Sequence, residues 1–182
     1  MNKLQTRASG AWPESRAALA ARIGAFYERS PNAAYTNAAL GAIALAAMWH
    51  SAPRAGLLAW FCGVLAINAA SLALHYAVRR GDAMVRRPER WARISVWWAF
   101  ASGMVWGAGG ALLFPPAPLL QAFWLVLLNG IAAGVVGVCA FHRPAQLAYL
   151  WPLLAPLIIR LMGAGDVEHY AIAAGMCLYL AF

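Results

Sequence analysis

The chain has 182 residues, of which 63% are hydrophobic and 11% are charged, and its mean hydropathy is +0.63. A soluble domain of this length needs only one apolar face per helix, so this composition excludes an ordinary soluble domain and indicates a chain that lies mostly in lipid. The net charge of +8 does not predict nucleic-acid binding, because the fourteen basic residues lie between hydrophobic runs instead of forming one basic surface.

The first thirty residues predict a helix that lies on the membrane surface. Basic side chains are spread through residues 1–30 without a continuous apolar core, so this stretch is not a secretory signal. Apolar and basic side chains recur on opposite faces at helical spacing, with Leu19, Ile23, Phe26 and Tyr27 on one face and Arg16, Arg22 and Arg29 on the other. This pattern is typical of a short amphipathic juxtamembrane helix.

Six apolar runs follow, and each predicts a transmembrane helix. Ser30 and Pro31 suit the cap and the first turn of the first helix. The runs are Pro31–Trp49, Ala55–Val78, Ile94–Phe114, Leu119–Phe141, Ala145–Met162 and His169–Phe182. The last run would be about 21 Å long, shorter than the roughly 30 Å of a bilayer core, so we expect the chain to continue beyond Phe182. Residues 31–182 therefore predict an all-α, polytopic transmembrane bundle that is truncated in its last helix.

The basic residues between these runs predict the orientation of the bundle. The N-terminal region, the loop from Arg79 to Arg93, and Arg143 together carry twelve of the fourteen Lys and Arg residues, whereas Arg54 and Arg160 fall on the opposite side. Basic residues in short loops are retained in the cytoplasm. The pattern therefore predicts a multi-pass protein of the bacterial inner membrane with a cytoplasmic N-terminus.

Few polar side chains fall inside the predicted membrane segments. All six acidic residues are terminal or in loops, which disfavours an ion-coupled transporter, because such proteins need intramembrane carboxylates or broken-helix ion sites. Asn68 and Asn129 are candidates either for interhelical hydrogen bonds or for contact with a ligand. Trp106 lies deep in the third segment, where it either packs or lines a pocket for an apolar ligand.

Glycines four residues apart occur in two consecutive segments. Gly103 and Gly107 lie in the third segment, and Gly130 and Gly134 lie in the fourth. Such pairs let two helix backbones approach closely. Because a short proline-rich connection joins these segments into a hairpin, we expect the glycines to face a neighbouring helix of the same chain at short range, with dimerisation as the alternative.

Two prolines lie inside the fifth segment, Pro152 and Pro156. Each removes a backbone donor and clashes with the preceding turn, so we expect a kink in this helix. The kink is either a static packing feature or a hinge with alternative bends.

Sequence motifs for catalysis and metal binding are absent. The chain carries no phosphate-binding glycine loop, nucleophile elbow, HExxH motif or pair of catalytic carboxylates. Cys62, Cys139 and Cys177 lie in apolar runs without CxxC spacing and are typical of small buried residues. We therefore predict no catalytic residue, metal or cofactor in this chain, and whether the whole protein is an enzyme stays open.

The order of several short motifs resembles the N-terminal multi-helix sensory regions of bacterial histidine kinases, often hybrid kinases, and of membrane diguanylate cyclases. These motifs are Tyr27–Pro31, Trp91–Arg93, Gly103–Gly107, Leu113–Pro115, Gly130–Gly134, Pro144–Ala145, Pro152–Leu157 and Gly165–Asp166. The resemblance covers most of the chain from Tyr27 to Phe182.

The resemblance implies a membrane sensor and anchor whose signal passes to a cytoplasmic output domain beyond residue 182, most simply that of a sensor histidine kinase. The alternatives are the membrane region of a diguanylate cyclase and a small transporter or channel subunit. The lipid bilayer is the implied partner, with a homodimer formed through the cytoplasmic part and a small apolar ligand as further expectations.

Overall fold

The computed structural model describes residues 16–80, 86–140 and 142–181. It contains six α-helices, which are α1 (Arg16–Met48), α2 (Arg54–Arg79), α3 (Pro88–Leu112), α4 (Pro118–Val138), α5 (Arg143–Met162) and α6 (Val167–Ala181). No strand occurs in the described ranges, so the predicted all-α bundle of about six helices is confirmed. The first half of the predicted juxtamembrane segment, the middle of the arginine-rich loop and residue 182 lie outside the described residues.

Three of the helices are long and apolar enough to cross a membrane. They are α2, α4 and α5, whereas α6 is apolar but has only 15 residues. Large apolar side chains such as those of Leu119, Val126 and Ile159 are mostly exposed on the outside of these helices. An exterior of this kind is expected when lipid surrounds the helices, so the fold supports association with a membrane.

The first helix differs from its prediction because it does not begin at Ser30 and Pro31. Helix α1 runs without interruption from Arg16 to Met48, with Pro31 in its interior. Proline lacks the N–H that would bond to the carbonyl four residues earlier, which is that of Tyr27. In the structure His75 Nδ1 lies 2.7 Å from this carbonyl oxygen. A side chain of α2 therefore satisfies the group that Pro31 leaves without its backbone partner, and the helix continues.

The α1–α2 contact carries a second polar pair near the first. Ser30 Oγ and Ser71 Oγ are 2.6 Å apart, and both side chains are buried. Ser71 and His75 are four residues apart and therefore lie on one face of α2. His75 is therefore buried between the two helices.

The expected hairpin of α3 and α4 is only loosely packed. The most extensive helix contact joins α3 to α5, and the next joins α1 to α2, whereas α3 and α4 touch at few positions. Helix α5 also packs against α6. The chain therefore places α5, not α4, along the face of α3 that carries the glycines.

The two glycine rows have different surroundings, so the predicted short-range contact with a neighbouring helix is confirmed for the row on α3 and wrong for the row on α4. A Cβ atom built on Gly103 would lie 2.8 Å from Pro152 Cγ, and one built on Gly107 would overlap the carbonyl oxygen of Pro152. At Gly130 and Gly134 an added Cβ would meet no atom within 4 Å. The row on α3 allows close approach to α5, while the row on α4 borders open space.

One end of the bundle gathers the basic starts of several helices. The Tyr27 hydroxyl donates to the Trp91 carbonyl at 3.4 Å, and the rings of Phe26 and His142 are 6.4 Å apart. Arg16 forms an exposed ion pair with Glu89 at 3.2 Å. The first half of α1 and the beginnings of α3 and α5 therefore lie at the same end of the molecule.

Candidate functional site

Helices α1 and α4 leave a cleft of about 380 Å³ between them, which is the best candidate for a functional site. This volume is near the lower end of the roughly 300–1,000 Å³ of typical ligand pockets. One wall is α1 from Arg29 to Leu40, and the other is α4 from Gly130 to Val138 together with Cys139, the residue after its last turn. Trp98 of α3 and Tyr149 of α5 complete the lining.

The α4 wall of the cleft is open because it carries no side chains at two positions. Gly130 and Gly134 are exposed and one turn apart, and an added Cβ at either would meet nothing within 4 Å. An adjacent helix would normally cover such a row, since small residues allow close packing. In this chain the row remains uncovered by the other described helices and gives the cleft its width.

The α1 wall is polar along most of its length. Asn32 and Thr36 are exposed, and Asn37 is partly exposed at the deeper end of the same face. Arg29 lies at the mouth, where its Nη1 donates to the Gly137 carbonyl at 3.1 Å. A guanidinium at the C-terminal turn of α4 is favourable because this turn has carbonyls without intrahelical partners and carries partial negative charge.

The Tyr149 side chain lies at the floor of the cleft. It is 1% exposed, and its hydroxyl approaches the side chains of Ser102 and Asn37 without forming a hydrogen bond of normal geometry with either. The Ser102 hydroxyl is fully buried and also lacks a partner. A buried polar group without a partner costs about 1–3 kcal/mol, so the Tyr149 side chain, which lines the cleft, indicates a position where a bound polar atom would be stabilised.

Neither asparagine selected from the sequence lies in this cleft. Asn68 is buried, and its Nδ2 donates to the Val64 carbonyl at 2.8 Å within its own helix, while its Oδ1 has no partner. Asn129 is exposed on α4, and its Nδ2 donates to the Leu125 carbonyl at 2.8 Å. The structure thus shows both amide groups bonded to their own helices, and it does not bring the two residues together.

Trp106 belongs to an aromatic cluster in the interior, away from the cleft. Its ring is fully buried and lies 5.3 Å from that of Trp60, which lies 5.4 Å from Trp124. Trp60 Nε1 donates to the Val105 carbonyl at 3.0 Å, whereas the indole N–H groups of Trp106 and Trp124 have no partner. The edge-to-face geometry is typical of aromatic packing.

The two prolines of α5 follow the cleft residue Tyr149 by three and seven positions. Pro152 is buried against Gly103 and Gly107. Because Pro156 has no N–H, the carbonyl of Pro152 lacks its usual partner four residues later. This carbonyl oxygen instead lies against the backbone of Gly107, where a Cα–H group can contact it directly.

The opposite end of the bundle carries a local polar contact. In the turn between α5 and α6, Asp166 accepts hydrogen bonds from the backbone N–H of His169, at 3.0 Å, and from the imidazole of the same residue. These bonds, the backbone one first, lower the pKa of the Asp166 carboxyl below its usual value. Within the ranges that the structure describes, no three His, Cys, Asp or Glu side chains are grouped as metal ligands would be.

Comparison with known proteins gives no relative from which to transfer a function. No protein family, curated protein or solved structure matches the chain. The fold and the site define an all-helical protein with membrane-span-like helices and one cleft that is open along a glycine row.

Proposed function

We propose that the chain is the membrane-embedded sensory and anchoring region of a bacterial signal-transduction protein, most simply a sensor histidine kinase. The observation that carries this proposal is the position of α5. Tyr149 of this helix forms the floor of the cleft, Pro152 and Pro156 follow within two turns, and the helix then packs along α6. A change at the cleft would therefore act on α5, which packs along α6, and α6 leads to the proposed output domain.

Prolines make α5 suitable for this role. A helix that lacks part of its internal hydrogen-bond ladder bends at lower energetic cost than its neighbours. A ligand that binds one bend more tightly than another shifts the population between them. The proposed signal is such a shift, passed through α6 to a cytoplasmic domain beyond residue 182, where the protein would also form its homodimer.

The proposal places six spans in the bacterial inner membrane with the N-terminus in the cytoplasm. The concentration of basic residues at one end of the bundle supports this orientation. Reporter fusions after Arg87 should therefore report a cytoplasmic location, and fusions after Pro53 or Pro116 a periplasmic one. Alkaline phosphatase and green fluorescent protein fusions measure the two sides independently. Periplasmic phosphatase activity after Arg87 would reject this topology.

A test of the sensory role is the replacement of Pro156 by alanine in the full-length protein. Alanine supplies the N–H that the Pro152 carbonyl lacks, so α5 should become straighter and stiffer. We expect a changed basal autophosphorylation rate in isolated membranes, by about threefold or more, for a shift of roughly 0.7 kcal/mol between the two bends. Membrane insertion and expression should remain normal.

The matched control for this variant is Pro118→Ala. Pro118 occupies the first turn of α4, where the missing N–H would have no intrahelical partner. This replacement should leave the output unchanged. Wild-type output from Pro156→Ala as well, at normal expression, would confine the proline to a structural role.

The same geometry is compatible with a diguanylate cyclase, in which the output measured would be the formation of cyclic dinucleotide from GTP. The coding sequence after Phe182 distinguishes the two, because either a kinase or a cyclase domain should follow. A small transporter or channel subunit is the alternative of another class, and it predicts substrate flux in vesicles that contain this chain alone.

A further inference from the structure

We infer that the α1–α4 cleft binds a single-chain anionic amphiphile of the cytoplasmic leaflet, of the fatty-acid class, with a hydroxyl or keto oxygen in its chain. The binding site is argued from the cleft alone. The assignment to the cytoplasmic leaflet and the expectation that occupancy changes the output both rest on the proposed function.

The length of the cleft fits one leaflet. Its α1 wall runs over twelve residues from Arg29 to Leu40, which is about 16 Å from the first to the last at the helical rise. This is close to half of the roughly 30 Å hydrocarbon core. A molecule with its head at the membrane surface and one chain reaching toward the bilayer centre therefore matches the cleft, and a spanning molecule does not.

The mouth of the cleft favours an anionic head group. Arg29 is exposed there, at the end of the bundle where the other basic helix starts are gathered. A guanidinium binds a carboxylate through short, charge-assisted hydrogen bonds. Asn32, one turn deeper on the same wall, adds a neutral donor at the level where a head group meets its chain.

The middle of the cleft favours a single hydrocarbon chain. The exposed row of Gly130 and Gly134 lets a chain lie directly on the α4 backbone, since no side chain stands in the way. Ile131 and Val135 of α4 supply apolar contacts beside this row. The cleft volume of about 380 Å³ is near the lower end of the roughly 300–1,000 Å³ of pockets for drug-sized ligands. It therefore has room for one hydrocarbon chain and not for a larger two-chain lipid.

The floor of the cleft favours an oxygen atom in the chain. The Tyr149 hydroxyl is buried without a partner and lies beside Asn37, which lines the same cleft. Asn37 is eight residues from Arg29, so the floor lies about 12 Å below the mouth. A hydroxyl or keto oxygen at this depth would accept a hydrogen bond from the Asn37 amide, which lines the cleft, or from the Tyr149 hydroxyl beside it, whereas a plain alkyl chain would accept none.

A helix from a second copy is the competing occupant, because glycine rows also mediate dimerisation. A twofold pairing along this cleft would bring the two Arg29 side chains toward each other, since such an interface uses the same patch on both copies. The two positive charges would repel each other. A helix from a second copy would also need a polar side chain at one particular position to accept a hydrogen bond from the Tyr149 hydroxyl. The observations therefore favour the amphiphile.

The test is photolabelling of the full-length protein in isolated membranes with a palmitic-acid probe that carries a diazirine in its chain. Gly134→Leu should fill the cleft and reduce specific labelling of α1 and α4 by about tenfold. Gly175→Leu is the matched control, because an added Cβ at exposed Gly175 of α6 also meets nothing within 4 Å, and it should label as the wild type does. Equal labelling of the wild type and Gly134→Leu overturns the site.

Competition with oleate and ricinoleate, which differ by one mid-chain hydroxyl, tests the floor. Ricinoleate should compete about fivefold better in the wild type, and this preference should disappear in Tyr149→Phe. In the wild type, oleate should compete better than its methyl ester, because only oleate has a carboxylate that Arg29 can bind. This difference in potency should disappear in Arg29→Gln. An equal potency of all three competitors in the wild type overturns the proposed ligand class.

Disulfide cross-linking tests the alternative occupant. Thr36→Cys in a cysteine-free background should give no dimer through this position, and an efficient dimer would overturn the amphiphile in favour of a second copy. Labelling needs no output domain. Failed labelling therefore rejects the ligand site alone, whereas specific binding of ricinoleate without any change in output rejects the sensory proposal alone.

Discussion

Replacing Gly107 with leucine should destabilise the bundle by about 3 kcal/mol or more. A Cβ at this position would overlap the carbonyl oxygen of Pro152 and lie 3.1 Å from the Cα of Leu153. Both are backbone atoms of α5, so they cannot move away as the end of a flexible side chain can. The α3–α5 contact is also the most extensive helix contact in the protein. The midpoint temperature of the detergent-solubilised protein, followed by size-exclusion chromatography, measures the effect.

The controls for this prediction are the same replacement at Gly134 and at Gly175. Both positions are open, and leucine is the better helix former by roughly 0.8–1 kcal/mol, so these variants should be as stable as the wild type or slightly more so. A similar loss in all three variants would show that any leucine in these rows is harmful. The close approach of α3 and α5 would then not be the cause.

Replacing His75 with alanine should cost about 1–3 kcal/mol, because it leaves the buried carbonyl of Tyr27 without a partner. The imidazole Nδ1 must be the donor in this bond, since a carbonyl oxygen only accepts. The cost should therefore depend on Pro31, which removes the backbone N–H that would otherwise bond to this carbonyl. Thermal and denaturant stability in detergent give the magnitude.

A double-mutant cycle with Pro31→Ala tests this cause directly. In the Pro31→Ala background the helix provides its own N–H to the Tyr27 carbonyl, so His75→Ala should cost about 1 kcal/mol less than in the wild type. Tyr170→Phe, at a half-exposed position on α6, serves as an unrelated control. If His75→Ala costs the same in both backgrounds, the histidine stabilises the protein by some contact other than the one with Tyr27.

Comparing Gly107 and His75 with Asn129 shows why a residue type alone does not reveal a structural role. Asn129 is a polar residue in an apolar run, which predicted a contact inside the bundle, yet it is exposed and bonds to its own helix. Tyr149 was not predicted as a site residue, because tyrosine is common in apolar segments. One signal was present: Tyr149 precedes Pro152 by three residues, so both lie on the face of α5 that meets the glycines of α3.

The sequence by itself determined the elements. Runs of apolar residues interrupted by prolines, arginines and short polar turns defined the helices between α2 and α6, because hydrophobic length and turn chemistry are local properties. Composition also determined that these helices have apolar exteriors. The boundary at Pro31 failed, because a proline inside a helix is tolerated when a distant side chain replaces the lost bond, and His75 is 48 residues from Tyr27.

Only the tertiary structure decided which faces meet. A glycine pair predicts that a helix can approach closely, but it does not name the partner, since any backbone can occupy the space that a missing side chain leaves. The row with Gly107 meets α5, whereas the row with Gly134 meets no other helix in the described chain and borders a cleft. The orphaned hydroxyl of Tyr149 likewise depends on where α1, α3 and α5 converge, because hydrogen-bond partners between helices are set by their packing and not by any local pattern.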